Sequence, residues 1–373
     1  MNLEVFFIKL TYFKSSKLGL IVSFFMIIFH LNCDGQYLIN DFDADPDSPF
    51  KNIDEKIFPI LGMPIDIFHV LNAAKDKETL NKIVDVCLNV DEVYKKLSWG
   101  KSPCLSLPWK YEYISELGKP LIYWEYSSGK SDNDLGKKNT TIILGGVHAD
   151  ELTPVHMAFK IAQTLHDDPN SYKNARVIIA PLVNPDGFFA RPFKRTNSNG
   201  VDLNRNFPTR TWENYAYKQW FHSKKQDARK FPGSFANSEQ GTRFQTDLID
   251  KFHPDRIISI HAPLAFLDLD FDYQRLFKRN TKLSEDQKKA KEIARIISRN
   301  AGNYRIMDFG IYPGSLGNYA GNERTIPTIT LELSSSDPRK AMQFWTHFSP
   351  GIFKAIKYEF RPNQVADLKS YFK

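Results

Sequence analysis

The chain has 373 residues, of which 42% are hydrophobic and 25% charged, and this composition excludes a chain that is disordered over its whole length. Its formal net charge of +7 would suit a nucleic acid, an anionic membrane or an acidic polymer. The sequence contains no nucleic-acid-binding motif, so we expect no nucleic-acid partner, and no protein partner is evident. The length suffices for one large domain and an appendage.

The first 33 residues have the features of an export leader. Basic residues precede an uncharged apolar run, residues 18–29, which is short for a membrane span. Cys33 follows, placed like the cysteine of a bacterial lipoprotein cleavage site, where it would become the lipidated first residue. Ordinary signal cleavage near Gly35 and an uncleaved anchor are the alternatives. The leader predicts a protein of the cell envelope, facing the periplasm or the surface, held to a membrane by a lipid anchor.

Residues 34–104 form a predicted tether and a small helical N-terminal region. The tether, residues 34–54, is polar and contains Asp-Pro and Ser-Pro pairs, whereas residues 57–97 show helical spacing in pieces. Cys87 and Cys104 remain after the leader is removed. In an oxidising compartment they would pair, and two separate buried thiols are the alternative.

From residue 105 onwards the pattern changes to alternating strands and helices. The predicted strands are 111–114, 120–126, 142–144, 176–183, 256–260 and 328–333. The predicted helices are 152–165, 238–252, 283–300 and 339–360. This alternation predicts an α/β domain with a mixed, mostly parallel central sheet flanked by helices.

His148 and Glu151 lie three residues apart, just after the strand at 142–144 and just before a predicted helix. At this spacing, on a strand-to-helix turn, an imidazole and a carboxylate can both point at one ion, and zinc accepts both kinds of ligand. The alternative is a helix-capping acid beside a surface histidine.

Further polar residues follow the next predicted strand. The turn sequence Asn184-Pro-Asp-Gly187 ends it, and a long loop, residues 188–210, carries Arg195 and Arg205. Long loops at the carboxyl ends of strands are where α/β proteins place their sites. The two arginines would bind an anion and polarise a carbonyl, or they belong to a solvated surface loop.

Two later strands each carry one chemically notable residue. His261 ends an apolar strand. It is either a metal ligand or a core histidine that is satisfied by one hydrogen bond. Glu332 lies within an apolar strand, where burial of an unpaired carboxylate is costly. Glu332 therefore needs a partner, a neighbouring metal or a raised pKa, which makes it a candidate general base or acid.

These features together resemble the zinc carboxypeptidases of the carboxypeptidase A type. Five of them occur in the family's order and rough spacing: His148-x-x-Glu151, Asn184-Pro-Asp-Gly187, Gly200-Val-Asp-Leu-Asn-Arg-Asn206, His261 and Glu332. Within the family, the amino-acid sequences of several stretches are similar to those of the murein peptide amidases.

The resemblance covers residues 105–361, which it predicts to be the catalytic domain, and leaves residues 362–373 as a tail. It implies that His148, Glu151 and His261 hold one zinc ion and leave a fourth position for water. Glu332 would take the proton of that water and later pass it to the leaving amine.

The resemblance also implies roles in substrate binding. Arg195 would stabilise the oxyanion that forms as the carbonyl becomes tetrahedral, which is a catalytic role. Asn204 and Arg205 would bind the substrate carboxylate. Tyr312 is placed near the family's mobile tyrosine and would contact the substrate, or it is a packing aromatic.

Two departures from the amidase pattern affect substrate fit rather than the metal. Ala262 follows the metal histidine where an aspartate is expected, and residues 238–242 replace a related stretch. Leu316, placed near the family's selecting residue, does not favour basic side chains.

The implied function is a zinc-dependent peptidase or amidase that hydrolyses a bond next to a free carboxylate, in murein-derived cell-wall peptides. A general metallocarboxypeptidase that removes C-terminal residues from peptides is the first alternative. The second is a non-enzymatic lipoprotein that retains the fold as a binding module, although such proteins usually lose a ligand or the base.

Overall fold

The computed structural model describes residues 29–31, 37–39, 77–128, 139–271, 283–307, 309–310 and 312–360. Contacts divide the chain into two units, Met1–Pro46 and Asp47–Lys373. Two short antiparallel strands belong to the first unit, β1 (Phe29–Leu31) and β2 (Tyr37–Ile39).

Several of the predictions above fall on other parts of the chain. Cys33, the predicted lipidation site, lies outside the described residues, as do most of the predicted tether and the C-terminal tail. Within the described ranges, no helix combines the length and the apolar character that crossing a membrane requires.

The second unit contains the elements that build the site. Its strands are β3 (Trp124–Ser127), β4 (Asn139–Leu144), β5 (Ala175–Ala180), β6 (Arg256–His261), β7 (Phe266–Asp268), β8 (Ile306–Met307) and β9 (Thr328–Glu332). Its helices are α1 (Lys77–Lys96), α2 (Leu152–Asp167), α3 (Pro185–Phe189), α4 (Gln240–Phe252), α5 (Glu285–Asn300) and α6 (Ala341–Lys357).

The seven strands of this unit form one sheet in the order β3-β5-β4-β6-β9-β7-β8. The four central strands are parallel, whereas β3 is antiparallel to β5 and β7 is antiparallel to β9. The prediction of a mixed, mostly parallel sheet flanked by helices is therefore confirmed.

Successive side chains of the central strands point to opposite faces of the sheet, and each face is covered. In β4, Ile143 packs in a cluster with buried residues of α1, α2, α5 and α6. Its neighbours Ile142 and Leu144 pack in a second cluster with residues of α4. Burial on both faces explains why these strands read as continuous apolar runs in the sequence.

Helix α1 and the segment after it are joined by a disulfide between Cys87 and Cys104, both fully buried. Of the two alternatives for these cysteines, the structure therefore contains the disulfide. The indole of Trp99, beyond the end of α1, donates to the carbonyl of Pro338, 2.8 Å away. Helix α1, which lies in the predicted helical N-terminal region, is thus packed into the core of the second unit, and residues 57–76 of that region lie outside the described residues.

Several short elements were not predicted from the sequence. The predicted strand pair 111–114 and 120–126 consists of two isolated bridges followed by β3. Strands β7 and β8 were not predicted, nor were three π-helical turns, Trp212–Ala216, Gln219–Ser223 and Gly317–Asn322. Three-residue strands and wide helical turns have no clear hydrophobic period, so pattern analysis cannot detect them.

Candidate metal centre

Three buried side chains converge at the carboxyl ends of β4 and β6. His148 lies on the turn after β4, Glu151 precedes the first residue of α2, and His261 is the last residue of β6. Their ligand atoms all lie within 4.8 Å of one another. We call these three residues the metal cluster.

The donor atoms of the metal cluster face one another. The Nδ1 atoms of His148 and His261 are 3.0 Å apart. The carboxylate of Glu151 places Oε1 2.9 Å from the first Nδ1 and Oε2 3.1 Å from the second. Two imidazole nitrogens and one carboxylate form the donor set of catalytic zinc sites, so the residues fit this ion.

Outer groups hold each ligand in place. His148 Nε2 lies 3.1 Å from Asp202 Oδ1, and His261 Nε2 lies 3.0 Å from the hydroxyl of Ser259. The backbone N–H of Ala262 donates to Glu151 Oε2 at 3.0 Å. Such partners fix the orientation of metal ligands and raise their basicity. Because Ala262 acts through its backbone, the missing aspartate side chain leaves this contact intact.

Burial and the neighbouring charges shift the pKa values of the cluster's ligands in different directions. Burial alone would raise the pKa of the Glu151 carboxyl, but His148 and His261 hold it well below its usual range. The pKa of Asp202 is also lowered, because Arg195 and His148 outweigh its burial. Burial lowers the pKa of His261. The Glu151 carboxylate and a neutral His261 imidazole are therefore present at neutral pH, as metal binding requires. The pKa of His148 is raised, because Glu151 and Asp202 outweigh its burial and the charge of Arg195, so a bound metal would displace a proton there more readily as the pH rises.

Arg195 is bonded to the edge of the metal cluster. Its Nε and Nη2 both donate to Asp202 Oδ2 at 3.0 Å, and its Nη1 donates to Glu151 Oε1 at 3.1 Å. Its side chain is 15% exposed. The mostly buried guanidinium thus lies beside the place where a metal would bind.

Glu332 ends strand β9, in register with His261 on β6. Burial, and then the nearby charge of Glu151, raises the pKa of Glu332 to about 7. Its Oε2 accepts a hydrogen bond from the backbone N–H of Leu264, 3.3 Å away. A carboxyl group with a pKa near neutrality can both accept and return a proton at physiological pH.

Asn204, Arg205 and Tyr312 also lie together. The Arg205 guanidinium carbon is 4.5 Å from the centre of the Tyr312 ring, and its Nη1 donates to the Asn204 carbonyl at 2.6 Å. The Asn204 side-chain oxygen accepts a hydrogen bond from the backbone N–H of Leu316 at 2.8 Å. The amide N–H groups of Asn204 therefore point away from Leu316. We call Asn204, Arg205 and Tyr312 the clamp.

Asp202 lies within a motif that the sequence singles out but had no predicted role, and Ser259 was not predicted. In the structure, Asp202 joins His148 to Arg195, and Ser259 bonds His261. The spacing of Asp202 in Gly200-Val-Asp-Leu-Asn-Arg-Asn206 was the available signal. Its bond to His148 spans 54 residues, which no local pattern reveals.

Comparison with known proteins places this geometry in a family. The model of the zinc carboxypeptidase family matches residues 114–368. Murein peptide amidase A of Vibrio campbellii is 29% identical over 223 residues, covering 59% of this chain and 76% of that protein. Murein peptide amidase A of Escherichia coli K12 is 32% identical over 156 residues, covering 41% of this chain and 59% of that protein.

A solved structure shares the fold at lower identity. The bovine thrombin-activatable fibrinolysis inhibitor, solved with a tick carboxypeptidase inhibitor, is 18% identical, with a TM-score of 0.54. The alignment covers 74% of this chain and 95% of that one. Since the family model matches well over half of the residues, the chain belongs to the zinc carboxypeptidase family of hydrolytic enzymes.

Proposed function

We propose that this zinc peptidase hydrolyses the bond before a residue with a free carboxylate, in peptides derived from the bacterial cell wall. The observation that carries the proposal is the meeting of the metal cluster, Glu332 and Arg195 at one edge of the sheet, with the clamp nearby. The murein substrate is supported by the relatives named murein peptide amidase A.

The metal cluster and Glu332 perform the proton chemistry in this proposal. Zinc held by His148, Glu151 and His261 would act as a Lewis acid and lower the pKa of a bound water to about 7. The Glu332 carboxylate accepts the proton of the attacking water and then donates it to the leaving amine. Its pKa of about 7 suits both transfers.

Arg195 stabilises the developing oxyanion. A guanidinium has five N–H donors, and Arg195 uses three of them on Asp202 and Glu151. Two donors therefore remain for the substrate oxygen. The bonds to two carboxylates fix the guanidinium before the reaction begins, so little reorganisation is needed when charge develops.

Asn204 and Arg205 bind the terminal carboxylate of the substrate. Among the described residues, the Arg205 side chain donates only to the Asn204 carbonyl, and its planar fork matches a carboxylate. The Tyr312 ring lies against the guanidinium, which limits the orientations available to it. This carboxylate contact selects substrates that end at the residue after the scissile bond.

The substrate is tested by offering the purified, zinc-loaded enzyme L-Ala-γ-D-Glu-meso-diaminopimelate beside ordinary peptides with free C-termini. Release of diaminopimelate at a higher kcat/KM than any ordinary C-terminal residue is expected. Cleavage of ordinary C-terminal residues alone would support the general metallocarboxypeptidase instead. Bound zinc with no hydrolysis of any peptide would support the non-enzymatic alternative.

We also propose that the enzyme works in the cell envelope, held by a lipid on Cys33. The basic and apolar leader supports export, and the disulfide between Cys87 and Cys104 suits an oxidising compartment. Cys33→Ser should move the protein from the membrane fraction to the soluble fraction, because the anchoring chains are lost. Mass spectrometry of the mature N-terminus checks this, and an unmodified chain that begins at Met1 would contradict it.

A further inference from the structure

Glu239 is a buried carboxylate that belongs to neither the metal cluster nor the clamp. It is the residue before α4, and it is 4% exposed. Its side chain does not cap the helix by accepting from the N–H groups of α4. Among the residues that the structure describes, it forms no ion pair. Because burying a carboxylate is costly without hydrogen-bond donors, the donors that face Glu239 indicate what it does.

The Glu239 carboxylate accepts hydrogen bonds from the start of a loop, residues 197–206, which we call the site loop. The side-chain amide of Asn197 donates to Oε2 at 2.6 Å, and that of Asn199 donates to the same oxygen at 2.9 Å. The hydroxyl of Ser238 donates to Oε1. The Asn197 side-chain oxygen accepts in turn from the backbone N–H of Val201 at 2.9 Å, so this end of the loop is fixed twice.

The other end of the site loop is held by the backbone of the same residue. The N–H of Glu239 donates to the side-chain oxygen of Asn206 at 3.1 Å. Asn206 is fully buried, and its side-chain amide donates to the carbonyls of Pro232 and Phe235 at 2.8 and 2.9 Å. One residue therefore holds both ends of the site loop.

Helix α4 connects this point of attachment to the central sheet. Its buried residues Phe244 and Leu248 pack in one cluster with Ile142 and Leu144 of β4. Strand β4 leads to the turn that carries the metal ligand His148. The packing of α4 thus fixes the site loop relative to the strand that also positions the metal cluster.

The site loop carries groups whose positions matter for the reaction. Between its two held ends, Asp202 lies 3.1 Å from His148 Nε2 and accepts from the Arg195 guanidinium at 3.0 Å. Arg205 of the clamp follows three residues later. A shift of the ends of the loop would therefore move the support of Arg195 and the position of Arg205 together.

We propose that Glu239 is a positioning residue, which holds both ends of the site loop and thereby fixes Arg195 and Arg205 where the substrate meets them. It acts through the loop rather than on the substrate. The inference rests on the roles that the proposed function gives to the two arginines. Without the carboxylate, the amides of Asn197 and Asn199 lose their acceptor, and the loop would occupy several positions instead of one.

Hydrogen exchange of the zinc-loaded protein tests the proposal without any turnover. In Glu239→Ala, the backbone amides of the site loop should exchange about tenfold faster than in the wild type, while zinc stays bound and exchange in the sheet is unchanged. The N–H groups of Val201 and Asp202, which are bonded to Asn197 and Phe231, should respond most. Unchanged exchange of the site loop would overturn the proposal.

The conservative variant Glu239→Gln should restore the loop. Its side-chain oxygen can still accept from the two asparagines, and its amide can donate to the Ser238 hydroxyl oxygen. Exchange and kcat should therefore stay within about threefold of the wild type. A loss in Glu239→Gln as large as that in Glu239→Ala would contradict a role that depends on these bonds.

Kinetics on a peptide with a free carboxylate separate positioning from a loss of stability. Per bound zinc, Glu239→Ala should lower kcat about tenfold and raise KM about threefold, since both arginines lose their fixed place. In an Arg195→Ala background the further loss in kcat should be less than about twofold, because residues that act through one group are not additive. A full tenfold loss in that background would show that Glu239 does not act through Arg195.

Asp91→Ala is the matched control. Asp91 is also a buried carboxylate, and it accepts from the backbone N–H of Ser102 at 2.8 Å, in the segment after α1 rather than in the site loop. This variant should be less stable, with exchange of the site loop, kcat and KM unchanged. The same kinetic losses in Asp91→Ala would mean that removal of any buried carboxylate has this effect, and would overturn the assignment.

A milder variant covers the case in which Glu239→Ala does not fold. Asn199→Ala removes one of the same bonds from an exposed side chain. It should speed the exchange of the site loop about threefold and lower kcat about twofold, and the absence of both effects would overturn the proposal.

The two proposals can fail separately. If the wild type cuts no peptide, the proposed function is wrong, and the exchange of the site loop still decides the role of Glu239. If peptides are cut and Glu239→Ala has the kcat and KM of the wild type, the positioning role is wrong and the proposed function stands.

Discussion

The metal cluster and the clamp differ in how their polar side chains are held. His148, Glu151 and His261 are buried, and each contacts at least three other groups. Arg205 and Tyr312 are only partly buried, and among the described residues the Arg205 guanidinium makes one hydrogen bond and packs against the Tyr312 ring.

This difference separates the requirements of chemistry from those of recognition. Ligands must be held in one geometry before the reaction, and buried bonds do this. Groups that recognise a substrate must instead keep donors available until it binds. Changes in the metal cluster should therefore lower metal content or kcat, whereas changes in the clamp should mainly raise KM.

The largest effect is expected from His261→Ala, which removes one of three ligands. The variant should lose zinc, and its activity should fall by more than about 10³-fold, since the metal supplies several kcal/mol of stabilisation. Metal analysis and kcat/KM on one peptide measure the two losses. His347→Ala, on the exposed side of α6, is the control and should keep both.

Glu332→Gln should affect catalysis without affecting metal binding, although Glu332 lies at the same edge of the sheet as the ligands. The amide fills the same space and cannot accept a proton, so kcat should fall by about 10²–10⁴-fold while zinc stays bound. Near-normal turnover with bound zinc would mean that another residue is the base.

The pH dependence of the wild type provides a second check on Glu332. The base works only when ionised, so kcat/KM should rise with pH as Glu332 loses its proton. Burial and Glu151 raise its pKa to about 7, and a bound cation would lower it again. The acidic limb should therefore have its midpoint at or below pH 7 and should be missing in Glu332→Gln.

The two arginines beside the metal cluster should give different kinetic effects. Arg195→Ala should lower kcat by about 10²-fold or more, because the charge it stabilises exists only during the reaction. Arg205→Ala should mainly raise KM for substrates with a free carboxylate, because ground state and transition state both make that contact. Equal and pure KM effects in both variants would show that this division of roles is wrong.

A smaller effect is expected from Asp202→Asn. The amide keeps the size of the side chain but removes the charge that faces His148 and Arg195. Loss of such an outer partner typically costs about 10–100-fold in metal affinity or activity. Zinc titration against a competing chelator measures the first, and unchanged affinity together with unchanged kcat would show that Asp202 only fills space.

The same contrast explains what the sequence could predict. His148, Glu151, His261 and Glu332 follow or end apolar strands, and the ends of neighbouring parallel strands meet at one edge, so their meeting is predictable. The position of Asp202 against His148 depends on how a long loop returns to the sheet, and local patterns do not contain that information.

The smallest effects should come from Tyr312, the aromatic member of the clamp. Its ring contacts both the Arg205 guanidinium and the Lys224 ammonium, so its face rather than its hydroxyl makes these contacts. Tyr312→Phe keeps that face and the cation–π contacts made with it, so KM and kcat should stay within about twofold. Tyr312→Ala removes the contact and should raise KM about two- to fivefold with kcat unchanged. If Tyr312→Phe instead lowered kcat tenfold or more, the hydroxyl would act in the transition state, and the tyrosine would belong with the metal cluster rather than with the groups that recognise the substrate.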